Sequence, residues 1–167
     1  MLKLACVVSV ILLCSSAGYI KSYKLKKRYQ NLCRIKAALS DVKSRITFFG
    51  FDIARALAIA GKSASAEPLF SLAADKIKQK GAAAAWREAL DLSKEEMCLS
   101  ADDIHSLSQL SSRLGMTDCE GQIKNVDGVI ALLDTNIADA KCDKDRYCSL
   151  YLGGGTLIGI FLGLMII

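Results

Sequence analysis

Apolar residues follow two different patterns along this chain. Residues 1–20 carry one charged side chain, Lys3, and residues 147–167 carry none. Between these segments, apolar positions recur every three or four residues, as in Leu32, Ile35, Leu39, Val42, Ile46 and Phe49. That spacing keeps one face of an α-helix apolar. No stretch alternates apolar and polar residues with the two-residue period of a strand. The pattern therefore predicts an all-α protein with a segment of one charge or none on each side of a helical domain.

Capping residues predict where the first helices of that domain begin and end. The first helix continues from residues 1–20 through the apolar seam and ends near Gly50. Asp52 is a suitable N-cap for the next helix, "IARALAIA". Pro68 suits the first position of "PLFSLAADKIKQK", and Gly81 suits its end. A further helix, "AAAAWREALDLSKEEM", follows directly.

Two more capping signals predict the last helices. Ser100 with Asp103 forms a variant capping box before "DIHSLSQLSSRL", and Gly115 is its predicted C-cap. Thr117 with Glu120 forms a second box, which opens a long helix that runs into residues 147–167. The expected fold is a bundle of about six helices, in which the first and last are long.

The two apolar segments, 1–20 and 147–167, are long enough to cross a membrane. A helix rises about 1.5 Å per residue, so twenty residues span about 30 Å, which is the thickness of the hydrocarbon layer. We expect transmembrane helices at 1–20 and 147–167, with a cytoplasmic helical domain at 21–146. Gly155, Gly159 and Gly163 lie four residues apart and form a smooth face for transmembrane packing. The alternative is that glycine is simply frequent in such spans.

Basic residues predict the sidedness of the domain. Five cations follow the first segment, whereas Lys3 alone precedes it; they are Lys21, Lys24, Lys26, Lys27 and Arg28. The positive-inside rule places this flank in the cytoplasm. The alternative is a signal peptide cleaved within "SSAG", which would export the domain. Seven cysteines at irregular spacing do not form a disulfide framework, which agrees with a reducing compartment.

Composition and motifs do not indicate an active site. The formal net charge is +5, but its basic cluster lies at the predicted membrane edge, where lipid headgroups explain it better than nucleic acid does. No phosphate-binding loop, dinucleotide fingerprint or cofactor motif is present in the sequence. Asp102, Asp103 and His105 cluster, but acids in a first turn complement the helix dipole.

Candidate protein-interface residues come from two charged stretches. Trp86, Arg87 and Glu88 form one, and the turn at Asp102 and Asp103 forms the other. Tryptophan is enriched at interfaces. The alternative, which the alanine-rich surroundings favour, is a core position for Trp86, with solvated surface or capping roles for the charged residues.

The order of motifs resembles the stage III sporulation protein AB family of endospore-forming bacteria. The resemblance covers nearly the whole chain and rests on an N-terminal span, "YKLKKRY", "ITFFG", "ARAL", "AWREAL" and "LSADDIHSLSQLSSRLGMTDCEGQ", followed by a glycine-containing terminal span. The family usually begins the helix after Gly50 with a Thr-Pro pair. Here "FDIARAL" stands instead, and Asp52 can cap that helix.

This resemblance implies a role in spore formation. Members of the family act in the mother cell, in the assembly that links it to the forespore, and their soluble domain is similar to the platform protein of type II secretion and type IV pili. The implied partners are a cytoplasmic ATPase of the same operon and other membrane components of the channel. The implied location is the mother-cell membrane around the forespore (the outer forespore membrane), and the implied role is non-enzymatic, without a cofactor. Two alternatives are an exported, tail-anchored receptor and a membrane-bound enzyme that uses Asp102, Asp103 and His105.

Overall fold

The computed structural model describes residues 2–60, 68–114 and 119–166, except for the side chains at 2–8, 10, 11, 113, 163, 165 and 166. Within these ranges the chain forms six α-helices and no β-strand. They are α1 (Leu2–Phe49), α2 (Ile53–Ala60), α3 (Pro68–Lys80), α4 (Ala82–Ser93), α5 (Ala101–Arg113) and α6 (Cys119–Ile166). The all-α prediction is confirmed, and so are the long first and last helices, which have 48 residues each.

Glycine ends α1 in the way that the sequence predicts. Gly50 adopts φ +60°, and its N–H donates to the carbonyl of Ile46 at 3.1 Å. The N–H of Phe51 also donates to the carbonyl of Arg45, at 3.4 Å. These bonds close the last turn around a left-handed residue, a conformation that costs glycine little. Asp52 then caps α2, because its carboxylate accepts from the N–H of Ala54 at 3.3 Å. Both predicted signals are confirmed.

The hairpin of α3 and α4 follows the same local rules with one difference. Pro68 is the first residue of α3, and Gly81, at φ +77°, separates it from α4. However, α4 ends at Ser93 and not at Met97 as predicted. A turn follows, in which Cys98 has φ +58° and the N–H of Leu99 donates to the Lys94 carbonyl at 3.0 Å. This turn leaves Met97 only 1% exposed, so tertiary burial of Met97 accompanies the early end of the helix.

Residues 30–138 form one compact unit, and residues 1–29 with 139–167 form another. The core of the first unit contains five of the six predicted seam residues of α1, at 0–3% exposure, together with Val126, Val129 and Leu133 of α6. Phe49, the sixth, is 67% exposed, so its predicted place in the seam is wrong. This unit lies inside the predicted domain 21–146, whose cytoplasmic location stays a prediction. The predicted signals at Gly115 and Thr117 lie outside the described residues.

Helices α1 and α6 are antiparallel in the 30–138 unit. Lys36 pairs with Asp134, and Lys43 pairs with Asp127 at 2.7 Å. The second lysine lies seven residues after the first on α1, and its partner lies seven residues before the first partner on α6. These side chains are one-third to one-half exposed, so each pair contributes at most about 1 kcal/mol. The pairs indicate the register, while the apolar seam supplies most of the stability.

Candidate functional site

Trp86 lies in the core and not on a surface. Its side chain is 0% exposed, its indole N–H donates to the Leu107 carbonyl of α5 at 2.9 Å, and its ring meets Phe70 of α3 edge-on at 5.4 Å. Buried tryptophan normally satisfies its N–H in this way. Trp86 therefore joins α3, α4 and α5, and a partner protein cannot touch it in this conformation. The prediction that Trp86 contacts a partner protein remains untested. Its position in the structure is the buried one that the sequence analysis gave as the alternative.

Arg87 and Glu88 connect α4 to two different helices, Arg87 to α5 and Glu88 to α3. The guanidinium Nε of Arg87 donates to Ser111 Oγ of α5 at 2.9 Å. Glu88 is about one-third exposed and accepts from the ammonium groups of Lys76 and Lys80 on α3, at 2.6 and 2.7 Å. The hydrogen bond from Lys76, followed by that from Lys80, lowers the pKa of Glu88 to about 2. Both charged residues thus brace the α3–α4–α5 unit, and their outer edges remain available to a partner.

The turn before α5 is a capping structure. Ser100 Oγ accepts from the N–H of Asp103 at 3.3 Å, and the Asp103 carboxylate accepts from the N–H of Ser100 at 2.8 Å. The predicted capping box is confirmed. Asp103 is 0% exposed, whereas Asp102 and His105 are exposed. The carboxylate of Asp103 is therefore committed to the helix end and does not face a common cleft with the other two residues.

Three asparagines join the long helices to α5 and to the turn before it, and the sequence analysis missed them. Asn31 donates to the Met97 carbonyl at 2.9 Å, and Asn125 donates to the Leu110 carbonyl at 3.0 Å. Asn136 donates to Ser106 Oγ at 3.1 Å. The signal was present, because each amide stands beside or one helical turn from an apolar seam position. Buried polar groups that find partners in this way fix one packing arrangement.

Phe48 and Phe49 form an exposed aromatic pair at the end of α1. They are 80% and 67% exposed, whereas the interior of the same unit buries Phe70 and Trp86 completely. The Phe49 ring stacks on Phe51 at 5.6 Å, and Phe51 in turn lies under the Arg55 guanidinium at 4.3 Å. Burying a large aromatic side chain is favourable by about 1.5–3 kcal/mol, and this free energy is not gained while the side chain stays in water. Their exposure has no explanation in the folding of this unit.

Glycine allows close contact between α1 and α6 in the unit formed by 1–29 and 139–167. A Cβ on Gly18 would lie 2.2 Å from the Tyr151 carbonyl oxygen, and one on Gly155 would lie 2.8 Å from the Cys14 carbonyl oxygen. Gly155, one of the three glycines predicted to pack, thus lies at a backbone-to-backbone contact. Gly159 is buried, and Gly163 lies outside the residues whose surroundings are described. The transmembrane setting of this packing stays a prediction.

Charged residues surround the same helix pair at its polar end. Arg28 pairs with Asp143 at 3.4 Å, and Lys144 lies 4.6 Å from the Tyr29 ring centroid. A hydrogen bond to Asp145 raises the pKa of Lys144. Lys21 lies 5.5 Å from the Tyr151 ring centroid. Residues 21–28 hold five cations and no acid, whereas 139–146 hold three of each, so the excess positive charge belongs to α1.

Two features are absent from the part of the chain that the structure describes. No group of three His, Cys, Asp or Glu side chains there is placed to hold a metal ion. No helix, counted over its described residues, is long and apolar enough to cross a membrane.

Comparison with known proteins decides the family. A sequence model of the stage III sporulation protein AB family matches residues 3–167. The chain belongs to the stage III sporulation protein AB family. A solved structure described as "Stage III sporulation protein AB (SpoIIIAB)" is similar at a TM-score of 0.63 and 22% identity, covering 72% of this chain and 98% of that one. At this identity, the likeness to SpoIIIAB shows a shared fold. No curated protein sequence matches. The family resemblance predicted from the motifs is confirmed, and the chain is a member of a sporulation family.

Proposed function

We propose that this protein is a non-enzymatic scaffold of the channel between mother cell and forespore, held in the membrane by both ends and docking a cytoplasmic ATPase. Family membership over residues 3–167 supports a role in sporulation. The ATPase of the same operon and the other membrane components of the channel are the partners that the family resemblance implies. The exposed aromatic pair of Phe48 and Phe49 is the observation that carries the docking proposal.

An aromatic pair suits a protein partner for a physical reason. Aromatic anchors supply large apolar area with few rotatable bonds, so burying them against a partner gains more than it costs in side-chain entropy. Arg55 and Phe51 beside the pair add a cation and a further ring, which are frequent at binding hot spots. The capping role of Asp103 supports the non-enzymatic part of the proposal. In the alternative enzyme, Asp103 would act with Asp102 and His105, but its carboxylate is bonded to the end of α5.

Binding of the ATPase tests this surface directly. The full-length chain in detergent would be immobilised and incubated with the purified ATPase encoded in the same operon. Phe48→Ser and Phe49→Ser should each weaken capture at least tenfold, as expected for hot-spot residues worth more than about 1.4 kcal/mol. Leu92→Ser is the matched control, because Leu92 is also exposed, at 58%, but lies on α4. Equal capture by all variants would remove the aromatic pair from the docking surface.

Membrane attachment is the second part of the proposal, and it rests on the sequence. Residues 147–167 carry no charge, and the five cations of 21–28 follow a segment with one. This charge distribution favours a cytoplasmic domain. Cys119 is exposed and so can report its side of the membrane. A membrane-impermeant maleimide should label it only after cells are permeabilised. Labelling in intact cells would favour the exported receptor instead.

A further inference from the structure

An open groove runs beside the contact between α1 and α6 in the unit formed by 1–29 and 139–167. Its volume is about 370 Å³, within the size range of ligand sites. Cys14, Ala17 and Gly18 line it from α1, and Leu150, Gly154 and Ile158 line it from α6. The Lys21 side chain lines it as well, and Lys21 is the sole charged residue among its lining residues. The groove is therefore apolar along its length and cationic at one end.

On the α6 side, Gly154 opens the groove within a row of larger side chains. Leu150, Gly154 and Ile158 are spaced by four residues and so form one ridge of α6. Gly154 leaves a gap in this ridge, and a Cβ added there would meet nothing within 4 Å. On α1, the distance along the helix axis from Cys14 to Lys21 is about 10 Å, from about 1.5 Å per residue. The gap thus extends about 10 Å along α1, and it is filled by neither helix.

We propose that this groove binds an anionic phospholipid, with an acyl chain against the apolar walls and the phosphate at Lys21. The inference rests on the proposed membrane attachment of this helix pair. Charge identifies the occupant. Within the described residues Lys21 forms no ion pair, and Lys24 follows one turn later on the same side of α1. The surrounding segment 21–28 has five cations and no acid, so no carboxylate within that segment competes with the phosphate for Lys21.

An amphiphile fits the groove better than a second helix does. A second helix packs along several turns, whereas this groove extends for only about 10 Å, or two turns, along α1 before it reaches a cation. A phospholipid has one charged end and one apolar end, which is the polarity of the lining residues. Tyr151 is part of the lining and lies under the Lys21 ammonium, as an aromatic residue at the interface between headgroups and acyl chains does.

Native mass spectrometry of the full chain tests the proposal. The protein would be released from detergent after incubation with phosphatidylglycerol or with phosphatidylcholine, and bound lipids counted. The wild type should retain phosphatidylglycerol preferentially. Lys21→Gln should reduce that preference about fivefold, as expected for one lysine near a headgroup. Lys26→Gln is the control, because Lys26 belongs to the basic cluster but does not line the groove.

Two neighbouring glycines give a matched pair for the apolar part. Gly154→Leu should fill the groove and abolish lipid retention, and nothing lies within 4 Å of its added Cβ. Gly153→Leu should leave retention unchanged, because Gly153 is equally open but does not line the groove. Both variants exchange glycine for leucine in the same helix, so effects of helix propensity cancel.

Several outcomes would overturn the proposal. Equal retention of the two lipids, or equal retention by both leucine variants, would show that the groove is not a site for anionic lipid. A mass spectrum in which Gly154→Leu alone loses a dimer would show that a second copy of the chain occupies it. Recovery of the full chain in the aqueous fraction of lysed cells would instead refute the membrane attachment proposed above, and so the two failures are distinguishable.

Discussion

Replacing Trp86 tests whether the α3–α4–α5 packing is organised as the structure indicates. Trp86→Phe removes the indole N–H that donates to the Leu107 carbonyl at 2.9 Å. Because Trp86 is 0% exposed, the smaller phenyl ring also leaves part of a buried volume empty. The lost hydrogen bond accounts for about 1 kcal/mol. Incomplete filling of the site adds up to about 2 kcal/mol. Trp86→Ala also removes the edge-on contact with Phe70, and its total cost should be about 3–5 kcal/mol.

These costs are large relative to the stability of a single compact unit. A unit of the size of residues 30–138 has an unfolding free energy of about 5–15 kcal/mol. A loss of 1 kcal/mol shifts Tm by about 4 °C in a domain of this size. Trp86→Phe should therefore lower Tm by roughly 4–12 °C. Trp86→Ala should lower it by roughly 12–20 °C or prevent folding altogether.

Far-UV circular dichroism of the full chain in detergent is the suitable assay, because the variants lose the only tryptophan and its fluorescence. Leu92→Ala is the control, since Leu92 is on the same helix and 58% exposed; its effect should stay within about 0.5 kcal/mol. If Trp86→Phe and Leu92→Ala shift Tm equally, the buried hydrogen bond contributes nothing. If Trp86→Ala weakens ATPase capture at an unchanged Tm, the residue belongs to an interface after all.

Three further perturbations have defined outcomes. Ser100→Ala should lower the free energy of unfolding by about 1 kcal/mol, and an unchanged thermal midpoint would contradict the capping box. The pKa of Glu88 is lowered to about 2 by its bonds to Lys76 and Lys80, so its stabilisation is complete above pH 4.5 and is lost as pH falls towards 2. The difference in Tm between wild type and Glu88→Gln should accordingly shrink across that interval; a constant difference would refute the ion pairs. Gly18→Leu should speed maleimide labelling of buried Cys148, because it forces α1 and α6 apart, whereas Gly153→Leu should not.

Helix ends were predictable from the sequence because their causes are local. Asp52, Pro68 and Gly81 act within one turn of their own positions, and so does the pair of Ser100 and Asp103. No distant residue has to be known for any of these signals to work. The buried seam of α1 was predictable for a similar reason, since a helical period repeated over several turns requires an apolar partner surface wherever that surface comes from.

The errors arose where tertiary contacts decide. The seam pattern continues to Phe49, but α1 ends there, and the side chain is exposed beyond the last packed turn. Helix propensity alone predicts that α4 continues through "SKEEM". In the structure α4 ends at Ser93, and Met97 is buried after a turn. The amide contacts of Asn31 and Asn136 join residues thirty or more positions apart, so no short window of sequence contains both partners.

The motifs that identify the family also limit what the family match can say about partners. "AWREAL" provides Trp86 to the core and Glu88 to the α3–α4 hairpin, and "LSADDIHSLS" provides the cap of α5. These motifs resemble the family because they build its fold, and a fold can be retained while a surface changes. Candidates for a partner surface are instead large apolar residues that are exposed and have no packing role within the fold. Phe48 and Phe49 meet this criterion in the 30–138 unit, so they are the residues to substitute first when the ATPase is tested.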